Sequence, residues 1–529
     1  MRRQLWMRAS ALALLMIAVL VPTTRASAGD DPSAPPAFYL RNSNTSGVAD
    51  VSFTYGGAGD VPLAGDWDGS GSDTPGVRRG NAFYLRNSNT SGAADLTFAY
   101  GDPGDLPLVG DWNGDGVDTI GLYRGNAFYL RNTNSTGVAD TVITFGDPGD
   151  IPLVGDWDGN GTDTIGIYRD GVFYLRNSNT SGPADVVFRY GDIGDYPIVG
   201  DWDGNGTSTV GVVRGSMFYL RNSNTSGNAD SAFLYGDQGD VPIVGDWDGN
   251  GTSTVGIVRM PPLPHAFDPY RGLGSWVDVF DWSFTHAGSP PPFTLADVDH
   301  MADEGVQTMY LQTAHADDPG DILEPGLVNA LINRAHLRGM RVVAWYLPDL
   351  TDVGADMRHL MAMSQLRVDG LAVDIESTSV GDIGARNAAL ISLSDQLRSN
   401  LPGWVISALV LPPVVTDEIN PNYWPDFPWQ RISGDYDLWQ PMGYWTNRRP
   451  PWRDAFAYTI GNIDRLRSHV GPQAVVSEIG GIGDQTSVDD VNGFLQACAQ
   501  RGCIGGSLYD YRTTDDSLWP QLDYFRLLG

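Results

Sequence analysis

The first half of the chain repeats itself with a period of 45 residues. Two phrases mark the five copies: F-Y-L-R-N begins at Phe38, Phe83, Phe128, Phe173 and Phe218, and G-D-W-[DN]-G begins at Gly65, Gly110, Gly155, Gly200 and Gly245. Within each copy, short alternating apolar runs separated by Gly, Asn, Asp and Pro predict three or four strands. A unit of this length and content is typical of one propeller blade. We therefore predict a five-repeat, propeller-like all-β domain over residues 36–260.

The sequence leaves open whether the five copies close into a ring. Near-identical units without capping copies favour closure, because an open stack would expose its end strands.

Each copy also carries an acidic, glycine-rich loop. The loop Asp156–Asp163 reads D-W-D-G-N-G-T-D, with oxygen-bearing side chains at positions 1, 3, 5 and 8. Such oxygens on a tight loop predict Ca²⁺ as a cofactor of the repeats. The alternative is an Asx-turn loop held by its own side chains. The candidate ligands are Asp66, Asp68, Asp73, Asp111, Asn113, Asp115, Asp118, Asp156, Asp158, Asn160 and Asp163.

These loops resemble the calcium-loop propeller repeats of the integrin α-chain type, also called FG-GAP or VCBS repeats. The resemblance implies calcium binding, but such repeats usually carry their last acid at position 9. This chain has threonine at that position in every copy, and the acid, where present, lies one place earlier. Ser208 and Ser253 replace this acid in the last two copies. The repeated Asp-Trp pairs and tyrosines would line sugar-binding hollows or, alternatively, form the core between blades.

The N-terminus has the features of a secretory signal peptide. Arg2, Arg3 and Arg8 precede an apolar run over 9–21, and small residues up to Ala28 fit a cleavage site. We predict a signal peptide over residues 1–28 and a secreted or cell-wall-associated protein. No later segment is long and apolar enough to span a membrane.

The net charge bears on the binding partners, and the cysteine content bears on disulfides and metal sites. The formal net charge of −31 argues against nucleic acid and anionic membrane surfaces as partners, because phosphate binding needs a basic face. Cys498 and Cys503 are the only cysteines, and in an exported chain they predict a local disulfide. No His/Cys set suggests a zinc motif.

After a proline-rich linker, predicted over residues 261–270, the pattern changes to alternating strands and amphipathic helices. Eight such units over residues 271–529 predict an α/β TIM barrel, (β/α)₈, so the chain combines two fold classes. The predicted strands are Trp276–Trp282, Val306–Gln312, Arg341–Leu347, Gly370–Glu376, Val405–Leu411, Asp437–Trp445, Ala474–Ile479 and Ile504–Tyr511. Helices are predicted over Leu323–Arg338 and Asn387–Arg398, with a capped helix start at Ser487.

Polar and aromatic residues concentrate at the predicted C-terminal strand ends, where barrels carry their chemistry. On the fourth strand, alternation places Asp374 and Glu376 on one face, where mutual repulsion would keep one carboxyl protonated as a general acid. An acidic, aromatic mouth suits carbohydrate. The candidate substrate-binding residues are Asp281, Trp282, Gln312, Tyr346, Gln440, Met442, Trp445, Tyr509 and Asp510.

Strands four and six resemble the family-eighteen chitinases, whose motifs are D-x-x-D-x-D-x-E and M-x-Y. Asp369, Asp374 and Glu376 match the first motif, and Met442 and Tyr444 match the second. The resemblance implies Glu376 as the proton donor, Asp374 as the residue that orients an acetamido group, and Tyr444 as a support for the cyclised intermediate. The middle acid of the motif is replaced by Ala372.

A second resemblance is to retaining glycosidases with an acid on strand four and a nucleophile on strand seven, which implies Glu376 and Glu478 in those roles. Those enzymes usually have Asn before the acid, where this chain has Ile375.

Together these observations predict a secreted, monomeric glycoside hydrolase that acts on a polysaccharide or cell-wall glycan and needs no cofactor in the barrel. The repeat domain would be its targeting module. The alternative is a glycan-binding or surface-display protein with an inactive barrel. No G-x-S-x-G elbow, Walker loop or dinucleotide fingerprint supports other chemistries.

Overall fold

The computed structural model describes residues 34–57, 59–102, 104–192, 195–237, 239–261 and 267–528. The predicted signal peptide lies outside the described residues, and so do residues 262–266 of the predicted linker. In the described part of the chain, no helix is both long and apolar enough to cross a membrane.

The repeats form twenty short strands, arranged as five antiparallel four-stranded sheets. The strands are β1 Ala37–Leu40, β2 Val51–Thr54, β3 Val61–Gly65, β4 Thr74–Arg79, β5 Ala82–Leu85, β6 Leu96–Ala99, β7 Leu106–Gly110, β8 Thr119–Arg124, β9 Ala127–Leu130, β10 Thr141–Thr144, β11 Ile151–Gly155, β12 Thr164–Arg169, β13 Val172–Leu175, β14 Val186–Arg189, β15 Tyr196–Gly200, β16 Thr209–Arg214, β17 Met217–Leu220, β18 Ser231–Leu234, β19 Val241–Gly245 and β20 Thr254–Arg259.

The five sheets close into a propeller-like ring. Strands β3, β7, β11, β15 and β19 contact one another in a closed cycle. The sheet boundaries are offset from the sequence repeat, because a sheet takes two strands from one copy and two from the next. As a result, one sheet has the order β19-β20-β1-β2, in which Ala37 at the start of the repeats pairs with Arg259 at their end. This pairing joins the two ends of the array and answers the question that the sequence left open.

The acidic loops link each sheet to its neighbour. The carboxylate of Asp118, at position 8 of the second loop, accepts a hydrogen bond of 2.8 Å from the backbone N–H of Asp66, which begins the first loop. The same link recurs around the whole ring. Its other members are Asp163 to Asp111, Ser208 to Asp156, Ser253 to Asp201 and Asp73 to Asp246.

The first aspartate of each loop is used within its own loop. In the third loop, the carboxylate of Asp156 accepts the backbone N–H groups of Asn160 at 3.0 Å and Gly161 at 2.7 Å. This is the Asx-turn arrangement that the sequence offered as the alternative to calcium. Residue 1 of a loop therefore bonds within its own loop, whereas residue 8 bonds to the neighbouring loop. Binding of Ca²⁺ by the loops stays a prediction.

The second half forms a closed barrel of eight parallel strands in chain order, which confirms the predicted fold class. The strands are β21 Gly272–Val277, β22 Thr308–Gln312, β23 Arg341–Tyr346, β24 Gly370–Ile375, β25 Ile406–Val410, β26 Leu438–Pro441, β27 Val475–Ile482 and β28 Gly505–Tyr509. The helices are α1 Val279–Trp282, α2 Leu295–Asp303, α3 Pro325–Leu337, α4 Val353–Met363, α5 Ile383–Asn400, α6 Trp429–Ile432, α7 Ala455–Val470, α8 Val488–Arg501 and α9 Trp519–Leu522.

The first barrel strand differs from its prediction. It ends at Val277, and the residues predicted to continue it form α1 instead. Asp278 caps this helical turn by accepting the N–H of Phe280, and a capping box joins it to Asp281. A strand cannot continue through such a cap, because the backbone changes from extended to helical there. The predicted capping box at Ser487 of α8 is confirmed, with Asp490 as the partner residue.

The predicted disulfide is not formed in this structure. Cys498 in α8 and Cys503 just beyond it are both buried and both free thiols. Gly502, in the left-handed conformation, ends the helix and turns the chain back, so that the backbone N–H of Cys503 donates to the carbonyl of Cys498 at 3.0 Å. The turn brings the two residues together, but they are held as thiols.

Candidate active site

The end of β24 carries the two carboxyls that the sequence singled out. Residues 372, 374 and 376 share the inner face of this strand because side chains alternate along it. Asp374 and Glu376 both line a cavity of about 210 Å³ at the C-terminal ends of the barrel strands. The structure therefore brings the two acids into one pocket, as their spacing predicted.

Aromatic and apolar side chains form most of the remaining wall. The other lining residues are Trp276, Asp278, Phe280, Gln312, His315, Trp345, Leu347, Leu409, Met442, Tyr444, Ile479 and Tyr509. Trp276 and Trp345 meet edge to face, with ring centroids 5.9 Å apart. Sugar rings stack on such aromatic faces through their C–H groups while carboxylates bind their hydroxyls. The cavity therefore has the chemical character that a carbohydrate ligand requires.

Burial dominates the electrostatics of the acidic pair. Burial, followed by the charge of Glu376, raises the pKa of Asp374 well above its usual range. Burial also raises the pKa of Glu376. Asp374 Oδ1 is buried without a hydrogen-bond partner among the described residues, so no hydrogen bond from them stabilises a negative charge on that oxygen. The pair is therefore poised to hold a proton at pH values where ordinary carboxyls have lost theirs.

Tyr444 extends this cluster across the cavity. Burial raises the pKa of its hydroxyl, and the charges of Asp374 and Glu376 raise it further. Its ring lies 5.7 Å from that of Tyr509, whose hydroxyl donates to Asp278 Oδ2 at 3.0 Å. Two phenols and three carboxyls therefore face one volume, and each phenol is protonated and able to donate.

A second group of acids borders the cavity. Asp278, Asp281 and Asp510 each place a carboxylate oxygen within 4.8 Å of the other two. Burial, then the charges of Asp278 and Asp510, raises the pKa of Asp281 to about 6, although Arg512 Nη1 lies 3.1 Å from its carboxylate. Of the three, Asp278 lines the cavity, whereas Asp281 and Asp510 do not.

Several predicted substrate-binding residues lie elsewhere. Tyr346 points away from the cavity and donates to Asp356 in α4 at 2.8 Å, because its neighbours Trp345 and Leu347 take the inner face. Three more are fully buried outside the cavity: Trp282, Gln440 and Trp445. Of the predicted residues, those that do line it are Gln312, Met442 and Tyr509, together with the candidate catalytic residues Asp374, Glu376 and Tyr444.

Glu478 is not a partner of Glu376. On β27, Ser477 hydrogen-bonds Tyr310 and Ile479 lines the cavity, so these two side chains occupy the inner face. The carboxyl of Glu478 lies on the opposite, helix-facing side, fully buried, and neither oxygen has a hydrogen-bond partner. Burial raises its pKa well above the usual range, the neighbouring Cys503 thiol adds to that rise, and Arg467 opposes it. The structure therefore places Glu478 outside the cavity that holds Glu376, and its role as the nucleophile of the second resemblance stays a prediction.

Sequence reasoning missed eight of the fourteen residues that line the cavity. Trp276 and Trp345 were inside predicted strands but gave no signal of which face they occupy. Asp278 and Phe280 were missed because their segment was predicted to be a strand. His315 follows β22 in a loop, where a single histidine carries no pattern.

Comparisons with known proteins add only a likeness of fold. No protein-family model matches the chain, and no curated protein matches it. Solved structures match 48% of this chain: a chitinase from Chromobacterium violaceum, 14% identical over 98% of its length with a TM-score of 0.34; a GH18 chitinase from Cycas revoluta in complex with (GlcNAc)4, 10% identical over 99% with a TM-score of 0.37; and the spore cortex-lytic enzyme SleL of Bacillus megaterium, 10% identical over 73% with a TM-score of 0.36.

Proposed function

We propose that the protein is a secreted glycoside hydrolase whose barrel cleaves a polysaccharide or cell-wall glycan. The observation that carries the proposal is the pair of carboxyls, Asp374 and Glu376, buried together in an aromatic cavity with Tyr444. A purely structural role does not account for them, because Asp374 Oδ1 has no partner and both carboxyls resist ionisation.

In this proposal Glu376 is the general acid. A glycosidic oxygen leaves as an alcohol only if it receives a proton as its bond breaks, and a carboxyl with a raised pKa holds that proton to higher pH than an ordinary carboxyl does. Asp374 lies on the same strand face and would accept a hydrogen bond from a substrate N–H, as the chitinase-like motif implies. Tyr444, as a protonated phenol, would support the cyclised intermediate by donating a hydrogen bond to it.

An N-acetylated sugar is the substrate class that this arrangement favours. With Glu478 outside the cavity, no side chain of the described residues stands opposite Glu376 on β27 as a nucleophile. The substrate's own acetamido oxygen would fill that role, which requires Asp374 to hold the acetamido group in place. The ring domain, in this proposal, targets the enzyme to its glycan.

The test is reducing-sugar release from chitin, peptidoglycan and a set of plant and microbial polysaccharides, with the mature chain and Glu376→Gln side by side. Release that the variant loses supports the proposal and names the substrate class. No release from any member, from protein that is folded by thermal melting, contradicts it.

The second candidate is a glycan-binding protein without turnover, and one observation favours it. Ala372 occupies the inner-face position below Asp374, so the strand offers Asp374 no third acid and no hydrogen bond. Binding of one polymer with an affinity that Trp276→Ala abolishes, without release of product, would establish this function instead.

A further inference from the structure

A group of three metal-binding side chains lies at the rim of the cavity. His286, His315 and Asp318 each offer a ligand atom, and these atoms all lie within 4.8 Å of one another. His286 Nε2 is 2.8 Å from Asp318 Oδ2, and the two imidazole rings have centroids 4.7 Å apart. No step of the proposed hydrolysis uses them.

The three residues come from two different loops. His286 lies between α1 and α2, whereas His315 and Asp318 lie between β22 and α3. Phe280, which lines the cavity, contacts both imidazole rings edge to face at centroid distances of 5.7 and 6.0 Å. The group therefore joins two loops beside the cavity mouth, and His315 belongs to both the group and the cavity wall.

A partly buried carboxylate joins the two loops. Glu324, at the start of α3, accepts hydrogen bonds from the Ser283 hydroxyl at 2.8 Å and from the Thr285 N–H and hydroxyl, both at 2.9 Å. The second loop is closed on itself by a bond of 3.0 Å from Asp318 N–H to the carbonyl of His315. The three side chains are therefore presented by backbone that is already ordered, and little freedom would be lost on binding an ion.

We propose that His286, His315 and Asp318 bind a divalent transition-metal ion, with zinc as the expected ion. Two imidazole nitrogens and one carboxylate oxygen are a zinc ligand set that leaves a fourth position for water. Zinc bonds of about 2.0–2.2 Å place tetrahedral ligand atoms roughly 3.3 Å apart. Here the His286–Asp318 pair is 2.8 Å apart, and no two of the ligand atoms are more than 4.8 Å apart. The side chains are only partly exposed, yet open enough for an ion to enter.

The ion would bridge the two loops and fix the rim of the cavity. Calcium and magnesium are disfavoured at this site because they take six or more ligands, nearly all oxygen. The proposal does not depend on hydrolysis, since it concerns a site that no reacting atom needs to touch.

The experiment is zinc titration by calorimetry on the full mature chain, without a polyhistidine tag and in excess calcium so that the repeat loops are saturated. We expect saturable binding of one equivalent. His286→Ala and, separately, Asp318→Asn should each weaken it by more than the roughly 10–100-fold loss that follows removal of a hydrogen bond to a metal ligand.

The chain offers a matched control. His469 and Asp417 form a pair with the same separation of 2.8 Å and similar partial exposure, but no third metal-binding residue joins them within the described residues. His469→Ala should leave zinc binding unchanged. The proposal fails if the wild-type chain shows no saturable binding, if both rim variants keep it, or if His469→Ala removes it. Thermal melts of each variant show whether a loss of binding reflects unfolding.

Discussion

The ring and the barrel both bury aspartates, and they use them in opposite ways. In the ring, Asp118 accepts a backbone N–H of the neighbouring loop, and the same link recurs in all five loops. In the barrel, Asp374 is buried more deeply and its Oδ1 has no partner. An acid whose hydrogen bonds are satisfied by the fold is explained by stability, whereas a buried acid that has an unpartnered oxygen and also lines a cavity, as Asp374 does and Glu478 does not, is a candidate for function.

The comparison shows why acidic composition alone misleads. The repeat loops contain most of the acids that resemble a binding site, but each loop's first and eighth residues bond to backbone. The barrel has fewer candidates, and two of them share one cavity. The two regions therefore differ more clearly in which acid oxygens lack hydrogen bonds than in the number of acids that they contain.

The largest effect in the comparison between the ring and the barrel is expected when the acidic carboxyl group of Glu376 is replaced by an amide. Glu376→Gln should lower the rate of glycan hydrolysis by roughly 10²–10⁴-fold, because an amide cannot protonate the leaving oxygen. The melting temperature should change little. Reducing-sugar release under saturating substrate measures the rate.

Glu478→Gln is the matched control for this variant. Glu478 is also a buried glutamate with a raised pKa, but it lies on the other face of the barrel wall. Its rate should stay within about twofold of wild type. A loss as large as that of Glu376→Gln would return Glu478 to the catalytic site and contradict the placement described above.

The second test removes one aspartate from each region by the same substitution. Asp118→Ala should cost about 1–3 kcal/mol in the free energy of unfolding, because the N–H of Asp66 loses its acceptor. Asp374→Ala should change that free energy by less than about 1 kcal/mol, since no hydrogen bond to its Oδ1 is lost. Urea unfolding followed by far-ultraviolet circular dichroism and by tryptophan fluorescence measures both.

Ser208→Ala calibrates the ring result, because Ser208 makes the same link to Asp156 through a neutral hydroxyl at 3.1 Å. Its cost should be smaller than that of Asp118→Ala. If Asp374→Ala proved as destabilising as Asp118→Ala, the contrast between the two regions would be lost.

The third test uses the raised pKa values of the acidic pair. A general acid works only while protonated, so activity should persist above the ordinary carboxyl range and fall as the pH rises through the raised pKa of Glu376. Asp374→Asn removes the carboxylate charge next to Glu376, so the fall in the hydrolysis rate at high pH should move to lower pH.

The same shift has a consequence for stability. Because the folded pair binds protons more tightly than the unfolded chain, the free energy of unfolding should fall as the pH rises from about 4. Asp374→Asn should flatten that fall. Rate profiles and thermal melts over the same buffers measure both effects, and coincident profiles for the two proteins would contradict the coupling.

Much of the architecture could be predicted from the sequence. The 45-residue period and the alternating apolar runs predicted the sheets, and eight apolar runs predicted the barrel in its correct strand order. Periodicity is a local property, so it survives without knowledge of the fold. Ring closure was favoured by the near-identical copies but not settled, because pairing of β1 with β20 joins residues more than 200 positions apart.

The site was predicted less completely for a physical reason. Adjacent strand residues face opposite sides, so an error of one position moves a side chain out of the cavity. This is what happened with Tyr346 and Trp345, and with Glu478 and Ile479. Asp374 and Glu376 were predicted correctly because they lie two positions apart on one strand, so that both side chains share one face.

The smallest expected effect concerns calcium in the ring. If the loops bind it, millimolar Ca²⁺ should raise the melting temperature of the ring by roughly 2–4 °C for each kcal/mol of binding, and EGTA should reverse the rise. Asp158→Asn removes a position-3 carboxylate from a loop whose eighth residue is an acid, and should reduce the effect. Asp203→Asn makes the same change in the fourth loop, where Ser208 replaces that acid at the corresponding position, and should matter less. Identical melting temperatures with and without Ca²⁺ would mean that hydrogen bonds such as those of Asp156 hold the loops without an ion. The acids of the ring would then bind no ligand, unlike the proposed role of the acids in the barrel.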